Sequence, residues 1–104
     1  MTDAVDILVL GATGFTGKLI TRYIAAHPQK AHFSLAVGAR SATKLQQLVE
    51  ELNLPASIKL VQVDVAREDE LERAISGARV VINCIGPFFH SGPPIVRYAY
   101  HLVQ

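Results

Sequence analysis

Gly11-Ala12-Thr13-Gly14-Phe15-Thr16-Gly17 stands between an apolar run and a helical pattern, and its reading decides the fold. Upstream, Val5 to Leu10 is β-branched and almost continuously apolar, the composition of a parallel strand covered on both faces. Downstream, Leu19, Ile20, Tyr23 and Ile24 recur at helical spacing until Pro28, which predicts a helix with those side chains on its inner face. Such a glycine-rich turn from a strand into a helix reads as a phosphate loop, where glycines alone would read equally as a structural turn. Gly11 allows the tight turn, Gly14 lets backbone approach a pyrophosphate, and Gly17 lets the helix pack closely on the strand. Thr13 is a further candidate cofactor contact in the loop, and the N–H groups of Gly14, Phe15 and Thr16, at the positive end of the helix dipole, are expected to hold the anion. The spacing G-x-x-G-x-x-G is one residue wider at its first gap than G-x-G-x-x-G, so the flanking strand and helix carry much of the inference.

The rest of the chain repeats the same alternation. Phe33 to Gly38 reads as a second strand ending at Ala39-Arg40, and Ser41 reads as the N-cap of a helix with Leu45, Leu48, Val49 and Leu52 inward. Ile58 to Val63 predicts a third strand. Glu68, Asp69 and Glu70 then crowd the first turn of a short helix, where acids suit the dipole, and Gly77 is its expected stop. Ala78 to Ile85 predicts a fourth strand, and Pro93-Pro94 opens a last helix reaching Val103. Strand and helix in strict alternation, joined by right-handed crossovers, give an α/β, Rossmann-like parallel sheet of order 3-2-1-4 with helices on both faces. The glycine loop then lies at the switch point between strands 1 and 4, where ligands bind in such sheets.

Composition narrows the function. The 104 residues carry ten basic and nine acidic side chains, interspersed, so no field marks a nucleic-acid partner. One cysteine, Cys84, excludes an internal disulfide and a Cys-rich metal site, and its apolar neighbours predict a buried thiol in a reducing, cytoplasmic compartment. No apolar run is long enough for a membrane span, and no basic region precedes the first strand as in a signal peptide. Residues 1–104 read as one domain, truncated after about four β-α units, with the substrate domain absent from this chain.

The second strand end indicates the cofactor. A nicotinamide dinucleotide domain that prefers NAD places Asp or Glu there, on the ribose 2′-hydroxyl. Here the place holds Gly38, Ala39 and Arg40. With no carboxylate to repel it, a 2′-phosphate would pair with Arg40, so NADP is expected over NAD. A cation near a helix N-terminus otherwise opposes the dipole by roughly 0.3 to 1 kcal/mol, which weighs against Arg40 as a mere surface charge. Ser41 and Lys44 are candidate contacts from the same turn, although a solvated surface cation describes Lys44 as well. Asp64 is placed to approach the adenine, with an exposed turn aspartate as the equal alternative. Asn83, Cys84, Gly86 and Pro87 leave strand 4 beside the cleft, where Asn83 reads equally as a satisfier of backbone groups.

These stretches together, with Val81 to Pro87 and Gly92, resemble the N-terminal domain of saccharopine dehydrogenase-like oxidoreductases, in the branch of the trans-acting enoyl reductases. The resemblance spans the whole chain, with Gly38-Ala39-Arg40 where relatives commonly have Ala-Gly-Arg. It implies an NADP(H)-binding domain that continues into more sheet and a separate domain for a small-molecule or lipid-like substrate. The function expected is the cofactor half of an NADP-dependent oxidoreductase. The alternatives are a non-catalytic dinucleotide-binding module and an inactive fragment. The sequence leaves the catalytic acid or base unassigned, and Tyr98 and Tyr100 lack the lysine of a Tyr-x-x-x-Lys pair. Without a fifth strand in the sequence, the edge of strand 4 and the last helix are expected to drive self-association or to need a covering partner.

Overall fold

The computed structural model describes residues 5–64 and 66–85. Strand β1 (Val5–Leu10) leads through the glycine turn into helix α1 (Phe15–Ala25), and a single 3-10 turn (Lys30–His32) precedes β2 (Leu35–Ala39). Helix α2 (Ala42–Leu52), β3 (Lys59–Gln62), α3 (Glu68–Ser76) and β4 (Ala78–Asn83) follow. The sheet has the order β3-β2-β1-β4, as expected from the alternation, and every neighbouring pair is parallel. Leu10 stands opposite Gly38 on one side and Asn83 on the other, so the strands end level around the glycine turn.

Alternate residues of β1 feed two cores. Val9, with Val37 of β2, packs under Ile24 of α1 and Leu45 and Leu48 of α2. Leu8 and Leu10, with Ala36, meet Leu71 and Ile75 of α3 on the opposite face. A strand buried on both sides must be apolar at every position, and Val9 and Leu10 are fully buried. The exception, Asp6, sits at the strand's far end and forms a reciprocal clasp. Its N–H donates to Ser34 Oγ at 2.9 Å, while the Ser34 N–H donates to Asp6 Oδ2 at 2.9 Å, tying β1 to the entry of β2.

The ends of elements differ from the sequence expectations where side chains replace ladder bonds. Ser34 is held by Asp6, so β2 begins at Leu35 instead of Phe33. Ser41 is the N-cap of α2 as expected, its Oγ accepting from the Lys44 N–H at 3.2 Å, and Asn53 closes that helix in the left-handed region at φ 54°. Gly77 does follow α3, at φ −87°, a conformation that demands no glycine.

The inward face of α1 departs further from expectation. Gly17, Thr21 and Ile24 are the buried residues, while Leu19 is 43% and Tyr23 70% exposed. The reason is contact distance: a Cβ on Gly17 would fall on the Gly11 carbonyl oxygen and lie 2.8 Å from Ala12 Cα. The point of closest backbone approach sets the rotation of the helix, and it turns Leu19 and Tyr23 outward. The last helix expected from Pro94, and with it Tyr98 and Tyr100, lies outside the described residues.

Candidate functional site

At the carboxyl ends of the strands the glycine turn, the β2 end, the β3 end and the β4 end enclose a cleft of about 310 Å³. Its walls include Gly11, Gly14, Ala39, Arg40, Asp64 and Cys84, so five of the residues singled out from the sequence (Gly11, Gly14, Arg40, Asp64, Cys84) meet there. Cavities of comparable or greater size lie elsewhere, among them one of about 330 Å³ between α3 and the β2–β3 face and one of about 500 Å³ beside Phe33 and Ile58, but neither contains a glycine turn or helix N-terminus to receive an anion.

The turn itself is held by the sheet. The N–H groups of Gly11 and Ala12 donate to the Gly38 carbonyl at 2.8 and 3.2 Å, which continues the β1–β2 ladder one step past the strand. Gly11 has φ +78°, and a Cβ there would meet the backbone of Cys84 and Ile85 at 2.9 Å, so conformation and packing both require glycine. Gly14 differs: its φ is −78°, and an added Cβ would meet only the Gly11 oxygen, at an ordinary 3.5 Å. Nothing inside the protein demands glycine at 14. The space it leaves opens on the cleft.

Gly14 does not offer its N–H, which donates to the Gly11 carbonyl at 3.1 Å. The open donors of the first helical turn include those of Phe15 and Thr16, which have no partner among the described residues, and the turn carries no acidic side chain. A helix N-terminus with free N–H groups beside a glycine without a side chain is suited to a pyrophosphate.

Arg40 is exposed and forms no ion pair among the described residues, where the salt bridges join Lys18–Glu51, Arg67–Glu70, Arg73–Asp69 and Arg79–Asp6. Its carbonyl accepts from Gln62 Nε2 at 3.2 Å, which fixes the backbone from which the guanidinium extends. Asp64 lines the cleft and also holds the following turn, its Oδ1 accepting from the Ala66 N–H at 3.0 Å. Asn83 caps the end of β4 in the same manner, Oδ1 accepting from the Ile85 N–H at 3.0 Å, which is the backbone role weighed from the sequence. Ser41 is occupied as a cap. Burial pushes the Cys84 thiol above its ordinary value, so at neutral pH it stays protonated and is a weak nucleophile. Gly86 and Pro87 lie outside the described residues.

Thr13 and Lys44 face a second, smaller groove of about 210 Å³ between α1 and α2, together with Lys18, Gln47 and Glu51. Lys18 was not among the residues picked from the sequence. Its one signal there was its position, directly after Gly17 in the first turn of α1. Among the described residues no group of three or more His, Cys, Asp or Glu converges to hold a metal, and no helix is long and apolar enough to cross a membrane.

The family described as "Saccharopine dehydrogenase NADP binding domain" matches residues 7–101. The chain belongs to that family. Within it, the chain is 31% identical over 102 residues to a mouse saccharopine dehydrogenase-like oxidoreductase, covering 88% of this chain and 24% of that protein. It is 34% identical over 92 residues to a trans-acting enoyl reductase of Mycobacterium leprae, covering 88% of this chain and 22% of that protein. Apo saccharopine dehydrogenase (L-Glu forming) from Saccharomyces cerevisiae shares the fold with a TM-score of 0.73 at 24% identity, covering 97% of this chain and 20% of that one. The chain thus spans about a quarter of the length of the curated relatives it matches. It is an NADP-binding domain of the saccharopine dehydrogenase family.

Proposed function

We propose that this domain holds NADP(H) for an oxidoreductase whose substrate, a small or lipid-like molecule, is bound by a separate domain of a longer polypeptide. The chemistry supplied by the bound cofactor is hydride transfer to or from a C=C or C=N bond. The chain's own residues bind and orient. The first turn of α1 receives the pyrophosphate through the Phe15 and Thr16 N–H groups, with Gly14 leaving room for it. Asp64 would lie toward the adenosine, and Cys84 and Ile85 would bound the cofactor on the β4 side, all three lining the cleft.

The observation that carries this reading is Arg40. A guanidinium without an ion-pair partner among the described residues stands in the cleft where an NAD-preferring domain would carry a carboxylate. Titration of the intact protein should give tighter binding of NADPH than of NADH, and Arg40→Ala should reduce that preference by roughly 1.5 to 3 kcal/mol at most, the range for a hydrogen bond to a charged group. Equal affinity of the unaltered protein for both dinucleotides would defeat the proposal.

A non-catalytic dinucleotide-binding module is the second reading, and the cleft gives it one specific support. Its titratable wall residues besides Arg40 are Asp64, engaged in a turn, and Cys84, held protonated. Hydride transfer by the intact protein to any enoyl or imine acceptor would decide for the oxidoreductase. A free, half-buried thiol suits a reducing compartment such as the cytoplasm, which is part of the proposal. So is association of the 104-residue chain with itself through β4, an edge strand among the described residues.

A further inference from the structure

We propose that Lys18 is a second specificity-determining cation for the 2′-phosphate of NADP(H), and that Glu51 competes with that phosphate for its ammonium group. The inference rests on the cofactor reading above and extends it from Arg40 to the groove between α1 and α2.

The groove and the main cleft share the glycine turn. Gly11 and Gly14 border the cleft, while Thr13, between them, borders the groove. Arg40 and Lys44 likewise flank the β2–α2 turn, with Arg40 in the cleft and Lys44 in the groove. A ribose bound over the turn would then bring its 2′ substituent to this junction, with Arg40 on one side and the Lys18–Lys44 groove on the other.

The charge pattern there is predominantly basic. From Ile7 to Val49 the sequence has five Lys or Arg residues and no Asp or Glu. Neither α1 nor α2 has an acid in its first turn, so Lys18 and Lys44 both stand against the positive end of a helix dipole. The groove's one carboxylate is Glu51, near the far end of α2, and it takes Lys18 Nζ at 3.0 Å. That pair is open to water, with side chains 37% and 54% exposed. An ion pair so exposed is weak and exchanges readily, and a phosphate monoester carries nearly twice the charge of the carboxylate it would replace. Glu51, released, returns to solvent it already touches.

The test uses the intact protein and two probes that differ only in the 2′-phosphate, adenosine 2′,5′-bisphosphate and 5′-AMP, titrated by calorimetry. Lys18→Met should weaken the bisphosphate about three- to tenfold and leave 5′-AMP unchanged, with Lys18→Arg retaining most of the affinity. Glu51→Gln breaks the same bridge but leaves Lys18 free, so it should tighten the bisphosphate about twofold or more. Opposite signs from two substitutions that remove one ion pair cannot come from loss of structure. The inference is overturned if Lys18→Met leaves the ratio of the two affinities unchanged, or if both substitutions move it the same way. Should Lys18→Met fail to fold, Glu51→Gln alone decides, and an unchanged or weaker affinity for the bisphosphate overturns the proposal. If the unaltered protein binds both probes equally, the Arg40 reading falls with it. A bisphosphate preference that responds to Arg40→Ala and not to Lys18→Met removes only this inference.

Discussion

Two glycines three positions apart have separable roles. Gly17 lies against the backbone of Gly11 and Ala12, where even a methyl group has no room. Gly14 has a backbone conformation open to any residue, and the space beside it faces the cleft. Gly17→Ala should therefore destabilise the fold by about 1 to 3 kcal/mol or more, the cost of overpacking against backbone that cannot yield. Gly14→Val should leave the far-UV circular dichroism and the urea midpoint nearly unchanged while abolishing dinucleotide binding. Retained binding in Gly14→Val would mean that the turn is only structural. A loss of stability as large as that of Gly17→Ala would mean that the residue is needed by the fold itself.

At the level of the element, α1 is docked by its backbone more than by its largest side chains. Because Gly17 must face the turn, Thr21, one helical turn on, is carried to the centre of the interface and is fully buried. Its Oγ1 has no hydrogen-bond partner among the described residues. A buried hydroxyl left unsatisfied costs about 1 to 3 kcal/mol, and valine has the same shape without it. Thr21→Val should raise stability by about 1 kcal/mol in urea unfolding. A destabilisation of similar size would show that the hydroxyl is bonded in solution. The same rotation leaves Leu19, Tyr23 and Phe15 outward, with Phe15 83% exposed at the mouth of the turn.

At the scale of the whole molecule, β4 forms one edge of the sheet among the described residues. Among the described residues β4 pairs with β1 on one side only, and Val80 is 54% exposed. The strand has neither Pro nor Lys to blunt pairing with another chain, although Arg79 bears a charge. The 104-residue chain, studied alone, should associate at micromolar concentration through this edge, and Val80→Lys should shift its sedimentation toward the monomer. A monomer whose β4 amides exchange slowly would show the edge already covered.

The sequence by itself determined the order of elements and, through the right-handed crossover, the arrangement 3-2-1-4. Both follow from local periodicity and chain chirality, which are written along the chain. It also marked Gly11, Gly14, Arg40, Asp64 and Cys84, which the fold brings to one cleft, because residues at strand ends and in a strand-to-helix turn must converge at one edge of a parallel sheet. What a side chain does there was legible only in three dimensions. The Gly14 N–H, the Ser41 hydroxyl and the Asn83 amide are each taken by nearby backbone groups, a competition settled by ångström-scale geometry. The phase of α1 was likewise hidden, since hydropathy ranks side chains and cannot register a contact in which the missing side chain of Gly17 decides. The place of Lys18 was hidden for the same reason: only the packing of α1 beside α2 sets it, with Thr13 and Lys44, against a glutamate 33 residues away.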